Sequence, residues 1–218
     1  MDQITFIIQA LLPALADGLV LTLALIAVSA PLGFLLGAGL AVARTYGSRP
    51  LSFTARAFIT FVKGCPLLLL LFILYFGLPA VGIRFSPFEA AMIGFIFCNG
   101  AYNSEYIRGA LLSIKEGQMI AASALGMTRT QAIRYIILPQ ALRRAIPGMT
   151  NEFIYLIKYS SLAYMITVVE LTGAGKLIAT KYFTFTETFM VVGMVYLVLV
   201  TFTTIAANYL EKRYAVPV

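Results

Sequence analysis

Five long apolar runs, separated by short polar segments, constrain this chain more than any other feature. They cover residues 15–43, 58–78, 88–107, 146–171 and 189–210. A helix needs about 20 mostly apolar residues to cross the hydrocarbon core of a bilayer, and each run meets that length. Only 11 % of the 218 residues are charged, while 61 % are hydrophobic. A soluble domain carries about 25 % charged residues, so the solvent for much of this chain is lipid. The expected fold is an all-α polytopic membrane protein with five transmembrane helices in a single domain, 1–218. The first run is retained as a span in this reading, because Met1, Asp2 and Gln3 lack the basic start of a cleaved signal. That run holds Pro31, Gly33, Gly37 and Gly39, which predict a kink with close helix packing.

Lys and Arg collect in alternate connections, and that sets orientation. Arg44, Arg49, Arg56 and Lys63 follow the first run, Arg108, Lys115, Arg129, Arg134, Arg143 and Arg144 follow the third, and Lys212 and Arg213 end the chain. The intervening segments are near neutral. This places the N-terminus outside and the C-terminus in the cytoplasm. It also accounts for the net charge of +7 without nucleic acid, for which no stacking platform or groove-reading helix is present. The chain has no histidine, and Cys65 and Cys98 lie in apolar stretches without C-x-x-C spacing. Neither a zinc site nor a redox pair is expected, and no cofactor on this chain.

One connection is too long to be a mere link. In residues 113–146, Met119, Ile120, Ala121, Ala122, Ala124 and Leu125 predict a helix closed by Gly126. Thr128 predicts the cap of a second helix, with Ala132, Ile133, Ile136 and Ile137 at helical spacing until Pro139 stops it. Alanines would let another protein's backbone approach, and the arginines suit an acidic partner or lipid headgroups. A protein-docking loop and an amphipathic loop resting on the membrane both fit this composition.

Residues 117–127, GQMIAASALGM, followed by 136–141, IILPQA, resemble the EAA loop of bacterial ABC importer permeases. Segments 62–68 (VKGCPLL), 101–109 (AYNSEYIRG) and 151–158 (NEFIYLIK) resemble the polar amino-acid uptake family among them, which includes histidine, arginine, glutamine and glutamate permeases. The resemblance covers about residues 18–207. It implies the transmembrane domain of a type I importer in a prokaryotic inner membrane. Its implied partners are a second permease subunit (homo- or heterodimer), two ATP-binding cassette ATPases that hold ATP-Mg, an extracytoplasmic amino-acid-binding protein and the amino acid itself. It further implies that the loop forms a coupling helix seated in a groove of the ATPase. Ala121, Ala122, Gly126 and Pro139 match the motif, whereas Ile120 stands where the family has Glu. The family often has an acidic residue in place of Tyr159 and Gln in place of Leu70. Both departures lower polarity, as in a cavity for a less polar amino acid or the non-binding half of a heterodimer.

A charge inside the membrane needs a partner or a cavity. Asn151, Tyr155, Lys158 and Leu162 share helical spacing, a polar stripe expected to face the bundle, and Tyr159, Ser160 and Ser161 extend it. The functional reading is a substrate pathway; alternatively Lys158 pairs with Glu105 or Glu152, or caps a subunit interface. The Ser hydroxyls are expected to loosen the helix. Glu105 and Arg108, three apart, form an expected ion pair, and Gly64 with Pro66 marks a kink with a gating role open to it. Residues 172–177, TGAGKL, resemble part of a phosphate-binding loop but have Leu177 after the Lys and Glu170 in place of the first glycine. The energy source is therefore expected on another chain. A stand-alone secondary transporter or channel would show inverted repeats and coupling carboxylates, and neither is found. An intramembrane enzyme would have to rest on a Ser–Lys pair, Ser160 or Ser161 with Lys158.

Overall fold

The computed structural model describes residues 3–214. Helix α1 (Gln3–Phe6) continues through a π turn, Ile7–Leu11, into α2 (Leu12–Tyr46). Next come α3 (Arg49–Gly64) and α4 (Leu67–Phe72), the latter running on through a π turn and a 3-10 turn to Val81. Helix α5 (Pro87–Leu112) opens on a capping box, in which Ser86 and Glu89 satisfy each other's backbone N–H groups. The long connection holds α6 (Gly117–Ala124) and α7 (Arg129–Ala132), and leads into α8 (Leu138–Tyr159). A 3-10 segment, Ser160–Ile166, separates α8 from α9 (Leu171–Tyr182), and α10 (Phe185–Tyr214) closes the fold.

The central contact is α2 on α5. Thr22, Ser29, Gly33, Gly37 and Ala41 are all buried on α2. A Cβ at Gly33 would come within 2.4 Å of Asn99 Oδ1, and one at Gly37 within 2.8 Å of Asn103 Cβ. Two asparagines of α5 thus fill notches left by two glycines of α2. In lipid, where apolar surfaces gain nothing by leaving water, such small-residue packing is what joins helices. Of the expected packing glycines Gly39 is the exception, with open space beside it. The helix runs on through Pro31.

Among the described residues two helices are by themselves long and apolar enough to cross a membrane, Ile7–Tyr46 and Phe185–Tyr214. Two bent pairs reach that standard together: Arg49–Gly64 with Leu67–Val81, bent by 104°, and Arg129–Ile166 with Leu171–Tyr182, bent by 51°. The second expected span is therefore broken rather than merely kinked. Cys65, preceding Pro66, is forced into extended backbone (φ −93°, ψ 126°), and the helix cannot pass it. Helix α5 lies between the others and is diluted in hydropathy by Asn99, Asn103, Ser104, Glu105 and Arg108.

Three apolar clusters hold the bundle. Leu25, Leu71, Phe95, Leu156 and Ile166 fill its middle. Ala41, Ile107, Leu111, Ile137 and Ala141 close the end where the arginines gather. Leu11, Leu15, Leu171 and Val192 close the other.

Candidate coupling and translocation site

The long connection folds into a compact tip. After α6 the chain reverses at Gly126, whose φ of +80° suits glycine. Its N–H donates to Ser123 O at 3.0 Å, and the Met127 N–H donates to Ala122 O at 3.1 Å, closing the helix end. Thr128 then starts α7: its hydroxyl accepts from the Gln131 N–H at 3.3 Å, while Gln131 Oε1 accepts from the Thr128 N–H at 2.8 Å. Ala122 is buried, but Ala121 is exposed, so the alanine pair is split between an inner and an outer face. Ile120 is 68 % exposed and Leu125 83 % exposed. Beneath Ile120 lies a groove of about 330 Å³, lined by Tyr46, Ile114, Met119 and Ile137 among others.

Pro139 does not stop the second helix, as its position suggested. It sits at the second position of α8, preceded by a π turn at Ile133–Ile137 that absorbs its missing N–H. Residues from Arg129 to Ile166 are consequently one unbroken helical run. Two further ties hold the tip. Arg144 Nη1 donates to Ser113 O at 2.7 Å and Ser113 Oγ at 3.0 Å, and Gln140 Nε2 donates to Gln118 Oε1 at 3.2 Å.

At the same end, Glu105 gathers three cations from three helices. Its carboxylate takes Arg44 Nη1 at 2.7 Å, Lys63 Nζ at 3.5 Å and Arg108 Nε at 3.4 Å. The expected Glu105–Arg108 pair is present, but Arg44 of α2 is the shorter contact. Sequence spacing shows an i,i+3 pair within one helix; it holds no signal for a partner 61 positions away. Lys63 lies beside Gly64 and Pro66, so the break between α3 and α4 is tied to α5 through this carboxylate.

On α8, Asn151, Tyr155 and Lys158 do share one face, and it is the outward face of this chain's own bundle: all three are exposed. Lys158 pairs with neither Glu105 nor Glu152, and its ammonium sits 5.2 Å over the Tyr155 ring. The bundle-facing side lies about 100° round the helix from it. It carries Glu152, 3 % exposed, whose Oε1 accepts from Tyr159 OH at 3.3 Å. Glu152, Leu156 and Tyr159 also follow helical spacing, the signal by which that side could have been found. Ser160 Oγ donates to Ile157 O at 2.7 Å and Ser161 Oγ to Lys158 O at 2.8 Å, at the place where α8 tightens into 3-10 geometry. The α-helix gives way at the serines, to the tighter 3-10 form.

Residues 172–177 form the start of α9 and not a phosphate loop. The N-terminus of that helix is occupied by the chain's own Glu170, fully buried. Its carboxylate accepts from the Thr172 N–H at 3.0 Å, the Gly173 N–H at 2.9 Å and Tyr196 OH at 3.0 Å. Gly175 is there for packing, since a Cβ would meet Val192 at 2.6 Å.

Residues 29–216 match one family model, the binding-protein-dependent transport system inner membrane component. The chain belongs to that family. As an inner membrane component of such a system it is a transport subunit of a bacterial membrane and not an enzyme. It is 40 % identical, over 93 % of its length and 90 % of the relative's, to a probable amino-acid ABC transporter permease protein, YckA, of Bacillus subtilis. It is 36 % identical to the glutamine transport system permease protein GlnP of Escherichia coli, over 93 % of both chains. A solved amino acid ABC transporter crystallised with histidines superposes with a TM-score of 0.87 at 29 % identity, covering 98 % of this chain and 99 % of that one. The MetNI methionine ABC transporter superposes with a TM-score of 0.81 at 22 % identity, a likeness of fold alone.

Proposed function

We propose that this chain is the permease subunit of an ATP-driven amino-acid importer, coupled to a separate ATPase through the tip at residues 113–146. The observation that carries this reading is mechanical. The tip exposes Ile120 and Leu125, and its second helix continues from Arg129 without a break into α8, so a force on the tip reaches the middle of the bundle. Relatives named for amino-acid and glutamine transport support the substrate class. The chain crosses the membrane five times, with N-terminus outside and C-terminus in the cytoplasm, counting each broken pair and α5 as one span. Two permease subunits, identical or not, meet so that the outward stripe Asn151, Tyr155 and Lys158 lines the pathway between them. An extracytoplasmic binding protein delivers the amino acid, and two ATPases bind ATP-Mg. Each tip lays apolar Ile120 where a family member with Glu would lay a charge, with exposed Leu125 beyond it, so the ATPase groove is apolar at that point.

Co-purification from native membranes, followed by reconstitution, tests this. An ATP-binding cassette subunit should co-purify, and amino-acid uptake into proteoliposomes should require both ATP inside and binding protein outside. Uptake by the purified chain without any ATPase would sink the proposal in favour of a stand-alone transporter.

A further inference from the structure

The turn between α9 and α10 carries a residue that its backbone does not suit. Phe183 adopts left-handed geometry, φ 56° and ψ 34°, and Gly82 and Gly126 fill comparable positions elsewhere. This geometry closes α9, with the Thr184 N–H donating to Ala179 O at 3.2 Å. A glycine would close it with no Cβ to crowd. The Phe183 ring returns nothing to the fold, being 87 % exposed. Tyr182 and Phe185 are exposed beside it, and each carries a lysine over its ring, Lys181 Nζ at 5.3 Å and Lys176 Nζ at 4.7 Å. The turn is thus an aromatic knuckle with a cationic rim. Glu187, exposed in the first turn of α10, leaves it net positive.

By the orientation proposed above, the knuckle lies on the extracytoplasmic side, and two counts set it beyond the bilayer. In α10, residues 191–210 hold no charged side chain and supply the roughly 20 residues of a span. Phe185 lies six residues further out, or about 9 Å. In α2, Asp17 marks the outer limit of the uncharged run. The Tyr182 ring packs edge-on against Phe6 at 5.3 Å, and Phe6 stands eleven residues beyond Asp17, or about 16 Å. The headgroup layer is only about 5–8 Å deep, so lipid does not cover Phe183. An exposed aromatic ring inside a charged rim has the composition of a protein-binding anchor. Resting on the importer reading above, we infer that Phe183 anchors the extracytoplasmic binding protein. Its ring enters an apolar notch on that protein, and carboxylates around the notch meet Lys176 and Lys181.

The test uses the whole complex, in proteoliposomes for uptake and in lipid nanodiscs for binding, with the binding protein that supports its uptake. In Phe183→Gly the half-saturating concentration of binding protein should rise about tenfold, as for an interface anchor, with uptake at saturation unchanged. Tm should hold or rise, because glycine relieves the left-handed backbone; a fall would mark the ring as packing and overturn the assignment. Phe183→Trp should keep the affinity. Lys176→Gln combined with Lys181→Gln should weaken binding at low salt and leave it unchanged at high salt. Quenching of Phe183→Trp fluorescence by brominated lipids, measured against the wild-type complex, would place the turn in the bilayer and overturn the assignment. If no binding protein supports uptake, the importer reading falls and this inference with it. If one does and Phe183→Gly binds it normally, this inference falls alone.

Discussion

Replacing Gly33 by alanine should separate the two central helices. The added Cβ would stand 2.4 Å from Asn99 Oδ1 and 2.9 Å from Asn99 Cβ. Carbon and oxygen rest no closer than about 3.3 Å, so α2 and α5 must part by about 0.9 Å or Asn99 must turn. Turning is blocked in part, because Asn99 Oδ1 holds the Asn103 amide at 2.9 Å. Overpacking of this kind costs about 1–3 kcal/mol. At about 2 kcal/mol, a chain of this size loses roughly 4–8 °C in Tm. The chain contains no Trp, but Cys98 is only 7 % exposed. A fluorogenic thiol reagent therefore reports unfolding as Cys98 becomes accessible, with Cys65 replaced by Ser to remove its background. Gly39→Ala is the control: its Cβ meets nothing within 4 Å, and helix propensity alone favours alanine by up to about 1 kcal/mol. Equal loss in both variants, or none in Gly33→Ala, would refute the notch packing of α2 against α5.

Ile120→Glu should abolish ATP-dependent uptake in proteoliposomes while the chain keeps its melting temperature, since the side chain is 68 % exposed and supports nothing in this subunit; normal uptake would mean that the partner's groove is indifferent to charge. Glu105→Gln should lower Tm and make it salt-dependent, because Arg44, Lys63 and Arg108 then repel one another unopposed; a salt-independent Tm change would show that the cluster contributes only packing. Glu170→Ala should cost about 1–2 kcal/mol through the lost helix cap, the Tyr196 hydroxyl keeping only Thr172 Oγ1 as a partner. The thiol assay reads it, and wild-type stability would mean that water replaces the carboxylate. Gly126→Ala should cost about 1–2 kcal/mol from its left-handed backbone, read as weaker co-purification of the ATPase; unchanged recovery would mean that the reversal tolerates a Cβ.

What the sequence revealed followed the range of each interaction. Local signals were legible: Thr128 and Gly126 sit where their capping and turning chemistry put them, and Ser160 ends α8 as a hydroxyl competing for backbone carbonyls does. Long-range geometry was not. A stripe of polar residues on α8 says which residues share a face, but only the packing of α2, α5 and α10 decides which face turns inward. It turned out to be that of Glu152 and Tyr159, leaving Lys158 outside. Pro139 misled for a related reason. Proline forbids one hydrogen bond, and a π turn lets the helix forgo that bond without stopping.

The unbroken run from Arg129 into the bundle has a consequence in leverage. Helix α8 alone is 22 residues long, or about 33 Å at 1.5 Å per residue. Rocking its base by about five degrees sweeps its far end through about 3 Å, the width of a hydrogen bond. Lys158, Tyr159 and Ser160 stand at that far end. A modest rotation imposed at Arg129–Ala132 is thus magnified into the difference between a contact made and a contact broken at Lys158–Ser160. The gearing is fixed by the length of that helix, and the Gln118–Gln140 contact ties α6 to its base.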